Sequence, residues 1–430
     1  MDAPPTQCQP WQALAQQRGY ANEDEQYWGS KISPLVGSIM KWARYSTAEQ
    51  HRVLTFLFTY IIPSCGPKPD DRGELSWKTC MNYDYTPVQL SLNFHDEKMT
   101  LRSTNIPIGH ASGTADDPIN QQAALDAIAR QQRALPSNNT DWINHFVSKL
   151  FLEPDAAAAL KAKASEFQIH CGPQCILSHD FPDGNVQCKV TFAPFWKAFA
   201  TGFEIKSVLW DAILGLGQDA VPYKPALDVL GRYLASESAK AAGASPYFFC
   251  FDAVPEGSRK SSRIKIYFCT SRTALDAMVD IYTLGGFLSG PEMVQSLEAL
   301  RILWKAIVKV PDHWPDDRDL PPSPSSTAAV IFNFEIQPGT ELPAPKIYLP
   351  AHYYGRSELE MADGMDYFFQ SQGLDTVYPP YKENFIKCFM NEEKQFTAVH
   401  HDIAFSMKPS GPYVTTYYKP ELHAGDPMGG

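Results

Sequence analysis

The sequence predicts an α+β fold in which a ten-stranded antiparallel β-barrel with a polar lumen is surrounded by α-helices. Three observations carry that prediction. Strand-like stretches come in five pairs, at about 78–94 with 98–107, 166–179 with 185–193, 246–253 with 262–269, 328–337 with 345–350, and 397–407 with 412–418. The pairs begin roughly 70 to 90 residues apart, and the segments between them, such as DWINHFVSKLFLEPDAAAALKAKA and SLEALRILWKAIVKV, show the 3.6-residue apolar period of helices. The strands also alternate strictly, with one polar and one apolar face each.

Taken in chain order, the stretch from about Asp24 to Ile62 reads as helical and leads into the first hairpin. In PVQLSLNF, Gln89, Ser91 and Asn93 share one face against Leu90, Leu92 and Phe94; in IFNFEIQ, Asn333, Glu335 and Gln337 oppose Phe332, Phe334 and Ile336. Long amphipathic helices need an apolar sheet surface to pack on, so the apolar faces turn outward and the polar faces inward. Five similar helix-hairpin units favour circular closure over an open sheet with unpaired edges. Ten strands in a ring leave an interior wide enough for a ligand. The Pro-rich segment PDHWPDDRDLPPSPSS, 311–326, is read as a surface loop inside one unit because a strand pair of the same type follows it. The expected boundaries are a tail at 1–23, one barrel domain at 24–421 and a tail at 422–430.

Composition narrows the function. Lys plus Arg total 37 against 48 Asp plus Glu, a formal charge of -11, which disfavours nucleic acid and acidic lipid as partners. The nine cysteines show no dense spacing pattern, and the longest apolar run, VLTFLFTYII at 53–62, is too short to span a bilayer. The N-terminus has neither a basic start nor an apolar stretch, so a soluble cytoplasmic protein, monomer or homodimer, is expected.

Against that acidic background, SSRIKIYF at 261–268 places Arg263, Lys265 and Tyr267 on one strand face. Two like charges about 5 Å apart at an effective dielectric near 20 repel by roughly 3 kcal/mol, so an anion is expected between them. The same parity gathers Arg102, Lys189 with Thr191, Lys346 with Tyr348, and Tyr413 with Tyr417. Five cations turned into one lumen are suited to a diphosphate, the common partner of Arg and Lys. Tyrosines beside a diphosphate suit an allylic carbocation, which aromatic faces stabilise while excluding water.

These residues resemble the fungal dimethylallyltryptophan synthase family of aromatic prenyltransferases. TPVQLSLNF, CKVTFAP, SRIKIYF, YTLGG and PKIYLP look like its successive barrel motifs in order, from about Tyr27 to Glu421. The resemblance implies a PT barrel of the ABBA type that alkylates an aromatic acceptor, indole-containing or phenolic, in fungal secondary metabolism. It implies dimethylallyl or geranyl diphosphate as co-substrate and no required cofactor or metal. By the same resemblance Arg102, Lys189, Arg263, Lys265 and Lys346 hold the diphosphate, and Tyr267, Tyr348, Tyr413 and Tyr417 form the cation shield. Gln89 and Met81 are the candidate acceptor-side residues, and Thr191 and Met407 border the donor tail.

Three departures from the family pattern bear on substrate choice. Gln89 stands where a Glu commonly accepts the indole N–H; an amide accepts a hydrogen bond but is no base near neutral pH. It favours an acceptor that is already electron-rich or carries carbonyl groups, with indole close behind. Thr191 stands where the pattern K-x-Y has a tyrosine, and Met407 in AFSMK is read as a second replacement, both leaving room for a longer tail. A carrier binding an anionic isoprenoid lipid in the lumen, without catalysis, is the alternative; release of diphosphate separates the two.

Other signals carry less. DDRGE (Asp70, Asp71, Glu74) lies in a turn-forming context rather than on a helix face that would hold a metal. His170, Cys171 and Cys175, and the pair His400–His401, lack zinc-site spacing and are read as buried or incidental. Gly285 and Gly286 in DIYTLGG are expected to end a helix.

Overall fold

The computed structural model describes residues 9–79, 81–82, 84–134, 140–162, 173–255, 261–311, 313–323, 328–391, 394–395, 399–419 and 422. Ten strands close a barrel: β1 (Val88–His95), β2 (Lys98–Asn105), β3 (Cys175–Asp180), β4 (Gln187–Phe192), β5 (Ser245–Ala253), β6 (Ile264–Thr270), β7 (Val330–Ile336), β8 (Ala344–Leu349), β11 (His400–Lys408) and β12 (Gly411–Tyr418). The remaining two, β9 (Met390–Asn391) and β10 (Lys394–Gln395), pair only with each other. Neighbours run antiparallel around the ring, and β1 closes it against β12, with Leu90 opposite Tyr418. The five expected hairpins are all present, and they leave no strand edge exposed.

The outward faces form the core. Leu90, Leu92 and Phe94 of β1 are buried, and Phe94 packs on Trp42, Phe369 and Tyr381 from the surrounding helices and on Tyr378 from the segment between two of them. On the far side Phe146 of the helix Thr140–Leu150 meets Phe192, Phe249 and Phe251. Burying each such ring is worth about 1.5–3 kcal/mol, so the helices clamp the barrel by its apolar face and leave the polar face for the lumen.

Two boundaries differ from expectation. The N-terminal helical stretch is broken into Glu23–Trp42 and Thr47–Phe56. Arg44 adopts φ 61 there, and Ser46 starts the second helix by accepting the Glu49 N–H. The first strand begins at Val88, not near 78; Asp84 takes the N–H and hydroxyl of Thr86 in a local turn instead. Ahead of residue 24, Pro10–Arg18 form a helix with Leu14 buried. The described part of 311–326 is a loop fastened by Asp319, which accepts from the Thr273 and Ala274 N–H groups. Leu284 and Gly285 with positive φ end the helix Leu275–Thr283, as DIYTLGG predicts.

Candidate active site

The second strand of every hairpin leaves its turn and runs inward, so residues of one parity reach the lumen in a fixed order. Lys189 precedes Thr191 on β4, Lys265 precedes Tyr267 on β6, and Lys346 precedes Tyr348 on β8. Two residues of strand are about 6.7 Å, which layers cations at the hairpin end below aromatic groups. The cavity they line has an empty volume of ≈ 730 Å³, counting space open to solvent. Arg263 sits just ahead of β6, positioned by its neighbour: the Ser262 carbonyl accepts from Tyr223 Oη at 2.6 Å, and Ser262 Oγ donates to the Asp252 carbonyl at 2.8 Å.

The anion expected between Arg263 and Lys265 is built into the protein. Arg263 Nε donates to Asp252 Oδ2 at 2.6 Å and Lys265 Nζ to Asp252 Oδ1 at 3.1 Å, while Arg263 Nη1 reaches Glu335 Oε2 at 3.3 Å. Asp180 repeats the device, bonded to Lys189 and 3.3 Å from Arg102 Nε. Lys408, 3.2 Å from Glu335 Oε1, is a sixth cation. Sequence reasoning had missed Asp180, Asp252 and Lys408, and had seen Glu335 only as part of a polar face. The available signal is positional: each is the last lumen-parity residue before its hairpin turn.

Six cations therefore line one cavity with Asp180 and Glu335, while Asp252 pairs with Arg263 and Lys265 beside it. Burial pushes the carboxyls up, but Lys265 and Arg263 outweigh it and hold Asp252 and Glu335 down to about 2; Arg102 and Lys189 hold Asp180 lower still. Lys346 is different. It has no carboxylate within ion-pair distance among the described residues, and burial together with Arg102 and Lys408 pushes its ammonium well below the ordinary lysine value. Its Nζ lies 4.3 Å from the centre of the Tyr413 ring.

Tyr267, Tyr348 and Tyr417 form a continuous wall, with ring centres 6.2 and 5.6 Å apart. Asn333 donates to Tyr348 Oη at 2.8 Å. Burial drives all three phenols well above their ordinary pKa, so they face the lumen as neutral rings. Tyr413 belongs to the charged layer instead, where it accepts from Arg102 Nη2. The aromatic wall continues away from the cations through Phe248, 6.2 Å from Tyr267, to Phe195 and Tyr247.

The remaining candidates divide. Thr191 is buried in the lumen lining, opposite Cys250. Gln89 shares the lumen parity of Ser91, one step beyond the tyrosines; it is buried, and its side chain has no hydrogen-bond partner among the described residues. Met81 is buried in the turn before β1, outside the cavity lining. Met407 is a correction: it shares the outward parity of Phe405 and packs on the apolar core, because Ser406 takes the lumen position. DDRGE is an exposed turn in which Asp70 pairs with Arg72. Cys175 is buried on β3, and His170 and Cys171 lie outside the described residues.

A closed barrel that places excess cations beneath a wall of buried tyrosines defines the aromatic prenyltransferase class. Residues 24–384 match the family model described as tryptophan dimethylallyltransferase. The chain is 62% identical over 380 residues to the indole diterpene prenyltransferase nodD1 of Hypoxylon pulicicidum, covering 88% of each chain. It is 48% identical to janD of Penicillium janthinellum, covering 97% of this chain and 96% of that one. Among solved structures, AnaPT from Neosartorya fischeri superposes with a TM-score of 0.82 at 22% identity, covering 97% of this chain and 99% of that one. NotF, solved in complex with brevianamide F and DMSPP, gives 0.79 at 23%, covering 96% and 98%. The chain belongs to the tryptophan dimethylallyltransferase family and is an aromatic prenyltransferase. Among the described residues no helix is long and apolar enough to cross a membrane.

Proposed function

We propose that this chain transfers a dimethylallyl or geranyl group from its diphosphate to the indole ring of a diterpene-type acceptor. The observation that carries the reading is the excess of six cations over Asp180, Glu335 and the neighbouring Asp252, directly beneath the tyrosine wall. The similarity to proteins named indole diterpene prenyltransferases supports the acceptor class.

In this reading Arg102, Lys189, Arg263, Lys265, Lys346 and Lys408 hold the diphosphate and stabilise the charge that grows on it as the C–O bond breaks. Their ammonium and guanidinium groups take the place of a metal ion. Tyr267, Tyr348 and Tyr417 shelter the allylic cation by cation–π attraction. The ring carbon of the acceptor attacks from the Gln89 side, where the unpartnered amide is free to orient an N–H or a carbonyl. A diterpene-fused indole carries such polar groups, which agrees with an amide where a carboxylate is commoner. The protein is taken to work in the cytosol as a monomer or homodimer.

Purified protein incubated with each donor and a panel of an indole diterpene, tryptophan and a phenolic polyketide tests this, with and without chelator. The expected result is prenylated indole diterpene and stoichiometric inorganic diphosphate, undiminished by chelation. Donor binding with no diphosphate released from any acceptor would favour a carrier, and activity restored only by Mg²⁺ would remove the metal-free site.

A further inference from the structure

Two adjacent histidines at the start of β11 have opposite surroundings. His400 is wholly buried on the outer face, its Nδ1 2.6 Å from Glu358 Oε2 and its Nε2 2.7 Å from Tyr381 Oη. His401 is bonded through Nδ1 to Asp402 Oδ2 at 2.7 Å and keeps a fifth of its side chain exposed. The register explains the split. His400 lies opposite Tyr418 and Ile403 opposite Thr416, so both His401 and Asp402 stand against the single residue Tyr417. That is a β-bulge, which re-aims side chains that a regular strand would send to opposite faces. The bulge thus sets the imidazole and its carboxylate, bonded to each other, at the level of Tyr417 of the lumen wall and beyond the residues that line the charged cavity.

The position along the barrel is informative. Of the lumen-wall tyrosines of β12, Tyr417 lies farther from the hairpin turn than Tyr413, and continuing the β1–β12 register sets Gln89 across from Lys419, the next residue of the same parity. His401 thus sits at the acceptor end, on the side of the tyrosine wall away from the cations. Its ring lies nearly parallel to that of His352, 6.3 Å away with 9° between planes. Burial, then Lys419 and His401, push His352 down to about 4, so it adds no positive charge beside its neighbour near neutral pH.

We propose that His401 is the base that completes the transfer, with Asp402 fixing its tautomer. This rests on the prenyl-transfer reading above. When the allylic carbon bonds to the ring and the C–O electron pair leaves with diphosphate, the attacked ring carbon becomes tetrahedral and still carries its hydrogen. Aromaticity returns when that C–H electron pair re-enters the ring and the proton leaves. Asp402 accepts the Nδ1–H, which leaves the Nε2 lone pair of His401 to take the proton and pass it to water. The cationic layer is unsuited to this step, because a proton acceptor there would compete with the diphosphate.

The test uses an indole diterpene deuterated on its benzo ring, with dimethylallyl diphosphate. A general base of this kind contributes about a hundredfold or more, so His401→Gln should slow product formation by that order while donor binding persists. The slowed step should become proton removal, giving a primary deuterium isotope effect that wild-type protein lacks. Asp402→Asn should show the same isotope effect with a smaller loss, and it keeps the proposal testable should the His401 variant fold poorly. Variants as fast as wild type, or slowed without any isotope effect, overturn the assignment. Wild-type protein that makes no prenylated product overturns the transfer reading, and this assignment with it.

Discussion

β6 and β8 carry the same short pattern, Lys-x-Tyr, at equivalent points of the repeat on either side of β7, yet their lysines have opposite electrostatics. Across the ladder Lys265 faces Glu335, whereas Lys346 faces Asn333. Lys265 bonds Asp252 as well, and that carboxylate raises its ammonium above the ordinary lysine value despite burial. Burial pushes Lys346 down, and so do the charges of Arg102, Lys408 and Lys265, with Glu335 opposing them weakly. The strand pattern alone sets which residues face the lumen; the neighbouring strand decides whether a lumen cation is a structural ion pair or an unbalanced charge awaiting a ligand.

Replacing each lysine by methionine breaks the equivalence most strongly. Lys265→Met leaves Asp252 and Glu335 buried with one cation fewer, and breaking such a pair costs about 3–5 kcal/mol. Lys346→Met strands no carboxylate and should leave stability unchanged or slightly higher. Both should weaken donor binding about tenfold or more, since a hydrogen bond to a charged group is worth about 1.5–3 kcal/mol. Urea midpoints and donor titrations separate the effects; equal destabilisation would mean the two lysines share one role. The acid limb sharpens this. Asp252 and Glu335, depressed to about 2, contribute stability above their unfolded values of about 4 that is lost as pH falls toward 2, and Lys265→Met should shrink that acid-labile part.

A smaller effect concerns protons. An empty lumen disfavours charge on Lys346, and an anion beside it reverses the balance, so binding should take up protons at pH values between the empty and the loaded pKa, below about 10.4. Calorimetry of inorganic diphosphate binding in mildly alkaline buffers of different ionisation enthalpy reads that uptake. The buffer dependence should be larger for wild type than for Lys346→Met, and identical dependences would show that Lys346 is already charged.

How much of this was legible in sequence follows from the same contrast. Period-two alternation and the spacing of hairpins predict the ring, the outward core and which cations share a lumen, because they are local properties of the chain. Asp180 and Asp252 escaped notice because their partners lie on neighbouring strands, and only register brings them together. Met407 was misplaced by one position of parity in AFSMK. The pair His400–His401 was read as buried or incidental, which fits His400; an extra residue in β11 gives His401 different surroundings, and no composition signal marks that bulge. Alternation reads a regular strand and fails where the strand is irregular.

The least effect is expected where the two strands have a third counterpart. β4 repeats the pattern as Lys189-x-Thr191, with a small hydroxyl where β6 and β8 carry rings. Thr191 lines the same cavity, between Ile176 on β3 and Cys250 on β5, so the wall is locally lower there than at Tyr267 or Tyr348. Removing a phenol ring frees volume beside the donor tail without touching the charged layer, which is anchored one step nearer the turn by Lys189 and Asp180. Thr191→Tyr should therefore penalise geranyl more than dimethylallyl diphosphate, while diphosphate affinity changes little. One methylene in such a pocket is worth about 1–3 kcal/mol, and a five-carbon difference in tail length makes even a partial clash measurable as a shift in the donor ratio. Steady-state kcat/KM for the two donors gives that ratio directly. An unchanged ratio would place the tail elsewhere, along Phe248 and Phe195, where the aromatic wall continues beyond Tyr267.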